Sequence, residues 1–159
     1  MGVRLRGKLT TLRRGVDADV EMLVAWHADP EVSRFWDDET FRAAQIRERL
    51  TRPHVDAYIV EVAESAIGYV EAWRDRDEGG GLDMFLVPEA RGAGYGADAA
   101  RTLATYLRDE AGWQRITVDP YLWNDRAICA WERAGFVRDE ERPADHEHTS
   151  SWLLMVFAS

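Results

Sequence analysis

An α/β (α+β) fold is what this sequence predicts, and three observations predict it. A short apolar strand, Leu82 to Val87, runs into the glycine-rich turn Arg-Gly-Ala-Gly-Tyr-Gly, which opens a helix to about Arg108. Before it, Asp56 to Glu64 and Ala66 to Trp73 read as two strands joined by a tight turn at Glu64-Ser65. After it come a strand (Gln114 to Val118), a helix (Arg126 to Ala134) and two closing strands (Phe136 to Arg138 and Ser151 to Phe157). With a first strand over Lys8 to Arg13, this makes a sheet of six to seven strands with about four helices, in a single domain over residues 1–159.

Each element has a local reason. Lys8 to Arg13 alternates and Gly15 ends it. Asp17 is placed to cap a helix to about Ala28, with Val20, Leu23, Val24 and His27 at helical spacing and Asp29-Pro30 closing it. A helix from about Thr40 to Leu50 is stopped by Pro53. Asp75 to Gly81 is polar and glycine-rich, hence a loop. Ala97 to Arg108 is amphipathic, with Ala99, Ala100, Leu103, Tyr106 and Leu107 on one face. Asp119-Pro120 ends the next strand, Gly135 the last helix, and Asp139 to Ser150 is a polar loop.

Composition narrows the function. An apolar content of 46% with seven tryptophans supports a real core at this length. No apolar run is long enough for a membrane span, and MGVRLRGK lacks a signal-peptide core, so the expectation is a cytoplasmic protein without a membrane partner. Twenty Lys+Arg against 29 Asp+Glu give a net charge of −9, which repels nucleic acid and attracts cations. The lone Cys129 excludes an internal disulfide, and its place in a helix reads as a small buried thiol. His146-x-His148 lies in an acidic loop with no further ligand pattern, so no metal is expected.

A strand feeding a glycine-rich helix N-terminus is an anion cradle, because first-turn N–H groups have no intrahelical partner and glycine admits a phosphate close to the backbone. Arg91-x-x-Gly94-x-Gly96 is not the dinucleotide fingerprint, since Ala99 stands at the third glycine position. It is not a Walker loop either, since no Gly-Lys-Ser/Thr follows. It resembles the acyl-CoA pyrophosphate loop of the GNAT N-acetyltransferase superfamily. A second segment, NDRAICAWERAGF from Asn124 to Phe136, resembles the later signature of the same superfamily, with Arg133 in its lysine place. GLDMFL before the loop and VDPYLWN before the second segment look most like the aminoglycoside 6'-N-acetyltransferases.

This resemblance implies the GNAT fold, a mixed, mostly antiparallel twisted sheet in which the central strand splays from the next. It implies acetyl-CoA as co-substrate, no metal, and a small cationic amine as acceptor, in a monomer or homodimer. The implied acetyl-CoA contacts are backbone at Phe85, Leu86 and Val87, the loop Arg91, Gly92, Ala93, Gly94, Tyr95 and Gly96, and Asn124, Ala127 and Trp131, with Arg126 a further phosphate contact. The implied substrate set is Trp36, Asp37, Glu71, Asp83 and Asp119, with Asp83 the better base and Asp119 the better anchor. On the residues alone, Trp36 reads equally as core, Asp119 as a turn-former, and Asn124 as a helix cap.

One departure matters. Trp131 stands where many relatives carry a tyrosine credited with protonating the departing sulfur, and an indole N–H is no useful acid. Water, Tyr95 or Tyr121 then does that work, or the thiolate leaves unassisted. The acceptor implied first is a primary amine of an aminoglycoside-type polycation, with a siderophore precursor or a protein N-terminus as the alternative amine. A non-catalytic acyl-CoA-binding module is the remaining alternative.

Overall fold

The computed structural model describes residues 3–75 and 78–158. Of two short strands at the start, β2 (Thr11–Arg14) covers the second half of the strand expected over Lys8 to Arg13, and β1 (Arg4–Arg6) precedes it unforeseen. β1 turns only Leu5 inward, and one apolar residue leaves no alternation to read. The helix expected from Asp17 is a 3-10 turn, Asp17–Asp19, followed by α1 (Val20–Ala28). Asp19, not Asp17, holds this start: its carboxylate accepts the Val16 N–H and pairs with the Arg13 guanidinium. A short α2 (Pro30–Ser33) follows, with Asp29 as its N-cap, and α3 (Ala43–Thr51) begins later than Thr40. The residues before α3 form a lip in which Asp37 and Asp38 both adopt a left-handed φ of 56°.

The hairpin is β3 (Val55–Val62) and β4 (Ser65–Arg74), turning at Ala63-Glu64, where both residues have positive φ, one position earlier than expected. β5 (Gly79–Leu86) corrects the loop expected over Asp75 to Gly81, of which residues 76 and 77 lie outside the described residues. Its glycines belong to the sheet because the backbones around them are too close for a side chain. A Cβ on Gly79 would strike the Arg115 carbonyl, and one on Gly80 the Trp73 carbonyl. After a 3-10 turn at Pro88–Ala90 come α4 (Tyr95–Asp109), β6 (Arg115–Val118), α5 (Asp125–Ala134), β7 (Phe136–Arg142) and β8 (Trp152–Phe157). β7 therefore takes up the first part of the expected 139–150 loop. α5 has the ends the sequence predicts: Asn124 Oδ1 accepts the Ala127 N–H at 3.2 Å, and Gly135 closes it in a left-handed conformation. Cys129 is exposed on α5 rather than buried.

These strands make one eight-stranded sheet in the order β1-β2-β3-β4-β5-β6-β8-β7, antiparallel except for the β5–β6 pair. One face packs on α4 and α5 through Leu82, Ala99, Leu103, Leu107, Ile128 and Phe136. The other packs on α1 to α3 through Leu23, Val32, Ile46, Tyr69 and Phe85. Each fully buried leucine or isoleucine contributes roughly 1.5–3 kcal/mol, so both helical layers are held firmly.

Successive β5 residues serve opposite faces. Leu82, Met84 and Leu86 turn to α4 and α5, while Phe85 turns to α1–α3. β5 and β6 pair only at Gly79–Arg115, Gly80–Ile116 and Gly81–Thr117. β6 then ends at Asp119-Pro120, whose proline has no N–H to extend the ladder, and Leu153 N–H donates to the Pro120 carbonyl instead. β5 continues without a β6 partner to Leu86, and the gap between the two strands sets the place of the site.

Candidate active site

Which β5 groups face the gap follows from the register. Val87 N–H donates to the Ile67 carbonyl at 2.9 Å, and pairing in an antiparallel ladder alternates. Phe85 and Asp83 therefore direct their backbone groups at Tyr69 and Glu71 on β4. Leu82, Met84 and Leu86 direct theirs toward β6, and past Gly81 they meet no strand. This corrects the expectation of free backbone at all of Phe85, Leu86 and Val87. Only Leu86 of the three faces the gap, Met84 joins it, and the Phe85 side chain is core. Met84 and Leu86 are part-exposed at this gap, and the Leu86 carbonyl is taken by Arg91 Nε at 3.3 Å, so the Met84 backbone groups and the Leu86 N–H are the ones turned toward the gap for a ligand to meet.

The glycine loop abuts this free end of β5. A Cβ on Gly96 would lie 3.5 Å from Met84 Cε and 3.6 Å from Leu86 Cδ1, so the first turn of α4 rests on the gap. Gly92 and Gly94 have φ of 87° and 85°, which only glycine adopts without strain, and Gly94 is the residue from which α4 starts. The N–H groups of Tyr95, Gly96 and Ala97 precede the first helical bond, from Asp98 N–H to the Gly94 carbonyl. This is a fitting seat for a diphosphate. Arg91 is engaged elsewhere, because its Nη2 donates to the Glu31 carbonyl at 2.7 Å and its Nε to Leu86 O at 3.3 Å, tying the loop to α2.

On the α3 side of the gap lies a cavity of about 580 Å³. It brings together Trp36, Asp37, Glu71, Asp83, Asp119, Asn124, Ala127 and Trp131 from the expected set, whereas Phe85, Leu86, Val87 and the side chains of the 91–96 loop do not line it. Glu39, Glu48 and Glu147 add to its acidity, against Arg49, Arg52 and His148. Trp36 both packs and lines: its ring meets Phe85 edge-on at 5.7 Å while the indole borders the cavity. Trp131 is nearly buried, edge-on to Phe136 at 5.3 Å. The Ala127 N–H is held by the Asn124 cap.

Electrostatics separate the carboxylates. Burial, then the charges of Asp119 and Glu71, push the Asp83 carboxyl well above its ordinary range, against smaller opposing effects of Trp73 and Arg49. Burial also raises Glu71, offset by Arg49, whose Nε lies 4.0 Å from Glu71 Oε1. Arg49 is enclosed by the faces of Phe41 (4.3 Å), Trp36 (5.5 Å) and Tyr69 (5.7 Å) and touches His27 Nε2 at 3.1 Å. Glu71 thus carries a partner of its own, which the sequence does not reveal.

Sequence reading also missed His148. Far from being a bland member of a polar loop, it is buried, lines the cavity, and places Nε2 2.7 Å from Asp119 Oδ2 and Nδ1 2.8 Å from Asp145 Oδ1. The only cue is the His146-x-His148 pair itself, of which His146 is exposed. Tyr121, one of the acids expected for the sulfur, donates its hydroxyl to Asp37, joining the 37–38 lip to the far wall. Burial and that bond raise its pKa, so it is a poorer proton donor than a free phenol.

No group of three or more His, Cys, Asp or Glu among the described residues is arranged to hold a metal ion, and no helix among them is long and apolar enough to cross a membrane. Comparison with known proteins agrees with the geometry. Residues 15–143 match the family described as Acetyltransferase (GNAT) domain. Aminoglycoside N(6')-acetyltransferase type 1 of Klebsiella pneumoniae is 28% identical over 148 residues, covering 80% of this chain and 74% of that protein. Among solved structures, AAC(6')-Ib in complex with paromomycin and acetyl-CoA superposes with a TM-score of 0.83 at 24% identity, over 95% of this chain and 94% of that one. A Vibrio cholerae spermidine N-acetyltransferase bound to CoA and spermine superposes with a TM-score of 0.82 at 17% identity, over 94% and 95%. A parallel strand pair that parts over the N-terminus of a glycine-led helix, with both signature segments around it, places this chain in the GNAT family of acetyl-CoA-dependent acetyltransferases.

Proposed function

We propose that the protein moves the acetyl group of acetyl-CoA to a primary amine of an aminoglycoside-type polycation by direct attack. The observation that carries this reading is the convergence of Glu71, Asp83 and Asp119 on one cavity beside the open β5 backbone. Three carboxylates in a confined site repel each other, and a polycation relieves that repulsion. Aminoglycoside acetylation by the relatives described above supports the same acceptor class.

Acetyl-CoA supplies the activated carbonyl and a thiolate leaving group. The chain's own residues do the rest. The α4 first turn seats the diphosphate, and the Met84 backbone groups and the Leu86 N–H pair with the pantetheine arm, the Leu86 carbonyl being held by Arg91, with one N–H facing the carbonyl oxygen as it gains charge. Asp119 anchors the substrate's ammonium. Asp83, whose raised pKa brings its proton affinity closer to that of an amine, takes the proton and frees the lone pair to attack. The C–N bond forms and the C–S bond breaks. The second N–H proton, made acidic once nitrogen is bonded to the carbonyl carbon, passes to the departing thiolate through water, and the proton held by Asp83 leaves to water through the open cavity. Trp131 donates no proton to sulfur. A thiolate of pKa about 8.5 leaves tolerably well unassisted.

The test is thiol release from acetyl-CoA with kanamycin- and tobramycin-type acceptors, beside spermine, for wild type and Asp83→Asn. Turnover of the aminoglycosides and a loss of about 10²–10⁴-fold in kcat for the variant are expected. Turnover of spermine alone would replace the acceptor, and undiminished turnover in the variant would remove Asp83 as base.

A further inference from the structure

Two carboxylates beside one ammonium raise a question of labour: what stops the anchor from silencing the base? The answer lies in a loop outside both signature segments. Asp119 ends β6 and faces the cavity, and its Oδ2 lies 2.7 Å from His148 Nε2. On the other side of the ring, Nδ1 lies 2.8 Å from Asp145 Oδ1, and that carboxylate is itself fastened by Glu147 N–H at 2.9 Å, His148 N–H at 2.8 Å and Trp152 Nε1 at 3.2 Å. The imidazole lies flat on the Trp152 indole, centroids 4.2 Å apart and planes 13° from parallel, and meets Tyr121 edge-on at 6.1 Å. With both nitrogens facing carboxylates and one face covered, the ring has one orientation open to it.

We propose that His148 is a positioning residue that compensates the negative charge of Asp119 and aims its other oxygen at the ammonium, leaving neighbouring Asp83 as the carboxylate that takes the proton. This rests on the amine-acetylating reading of the cavity. Burial works against a charged ring, but the hydrogen bonds of Asp119 and Asp145 outweigh it and raise the His148 pKa. Bonding to His148 first, with the loop N–H groups, holds Asp145 down at about 2, a permanent anion on the far side. The groups facing His148 are therefore Asp119 at the end of β6, Asp145 of its own loop, and Tyr121, with uncharged Trp152 beneath. Those acting on Asp83 are Asp119, Glu71 on β4 and Arg49 on α3. An uncompensated Asp119 would drive the Asp83 proton affinity still higher, until the base stayed protonated at neutral pH and could accept nothing.

Two measurements test this. The first needs no catalysis: by NMR, His148 should titrate above free histidine in wild type and fall by about one pH unit toward the ordinary value in Asp119→Asn. The second is the pH profile of His148→Gln, which keeps a donor toward Asp119 but not the charge. Its acidic limb should move up by about half to one pH unit, with kcat recovering to within about threefold of wild type above the limb and KM for acetyl-CoA unchanged. A merely structural role would lower activity at every pH and leave the limb in place, and that result overturns the proposal. So does a His148 that titrates at or below the ordinary value. If wild type acetylates no amine at all, the cavity reading fails separately and the NMR titration alone decides the role of His148.

Discussion

Glu71 and Asp83 sit directly opposite each other on antiparallel β4 and β5, on the same face of the sheet and at the same cavity. Like charges in a cross-strand pair oppose folding, and no packing argument selects them. The arrangement is a site held at the expense of stability.

The sign of that expense can be measured. Burial, with Asp119 and Glu71, raises the Asp83 pKa in the folded protein above its unfolded value of about 3.9. Its stabilising contribution is therefore full below about pH 4 and is lost as pH rises through the folded value. Asp83→Asn should melt higher than wild type at pH 7–8, by about 2–4 °C per kcal/mol recovered, and the two should converge below about pH 4. A variant that melts lower at pH 8 would show that Asp83 is a structural partner instead.

His27 should act in the opposite direction. It is fully buried, and burial, then Arg49, depress its pKa from 6.5 to about 4, so it is neutral at pH 7 and accepts from Arg49 through Nε2. The unfolded chain binds this proton first, so the contribution is complete above about pH 6.5 and is lost as pH falls toward 4. Urea unfolding across that window should show a decline on the order of 3 kcal/mol from this group. His27→Gln keeps an acceptor but cannot titrate, and its profile should be flatter there. An equal slope in both proteins would locate the acid sensitivity elsewhere.

Asp98 ties the residues between β1 and β2 to α4. Its carboxylate accepts from Lys8 N at 3.1 Å, Leu9 N at 3.0 Å, Thr10 N at 2.9 Å and Thr10 Oγ1 at 2.7 Å. Gly7 is needed beside it, since a Cβ there would strike Asp98 Oδ2 and Thr102 Oγ1. Asp98→Ala should cost about 1–3 kcal/mol in urea unfolding. Gly7→Ala should cost a similar amount, and the double variant less than the sum, because both disturb one set of bonds. Additive losses would separate the two residues.

How much of this was legible depended on whether a cause was local. The ends of α5 could be read because Asn124 and Gly135 act on backbone within a few residues of themselves. The 82–108 strand, loop and helix could be read for the same reason, as could the inward residues Val20, Leu23 and His27 of α1. The glycines at 79–81 were misread because the same residues serve a flexible loop and a crowded strand root. Only Trp73 and Arg115, brought in from other strands, decide between them.

By itself the sequence determined the order of the elements from β3 to β8, the anion-seating turn, and an acidic chain with carboxylates at Asp83 and Asp119. Periodicity, capping and glycine conformation are properties of short stretches. Only the tertiary structure decided that Met84 and Leu86, not Phe85 and Val87, open to the gap, since that depends on strand register. It also gave Glu71 its Arg49 and Asp119 its His148, contacts spanning 22 and 29 positions, for which no local pattern exists because proximity in the fold, not along the chain, sets electrostatic coupling.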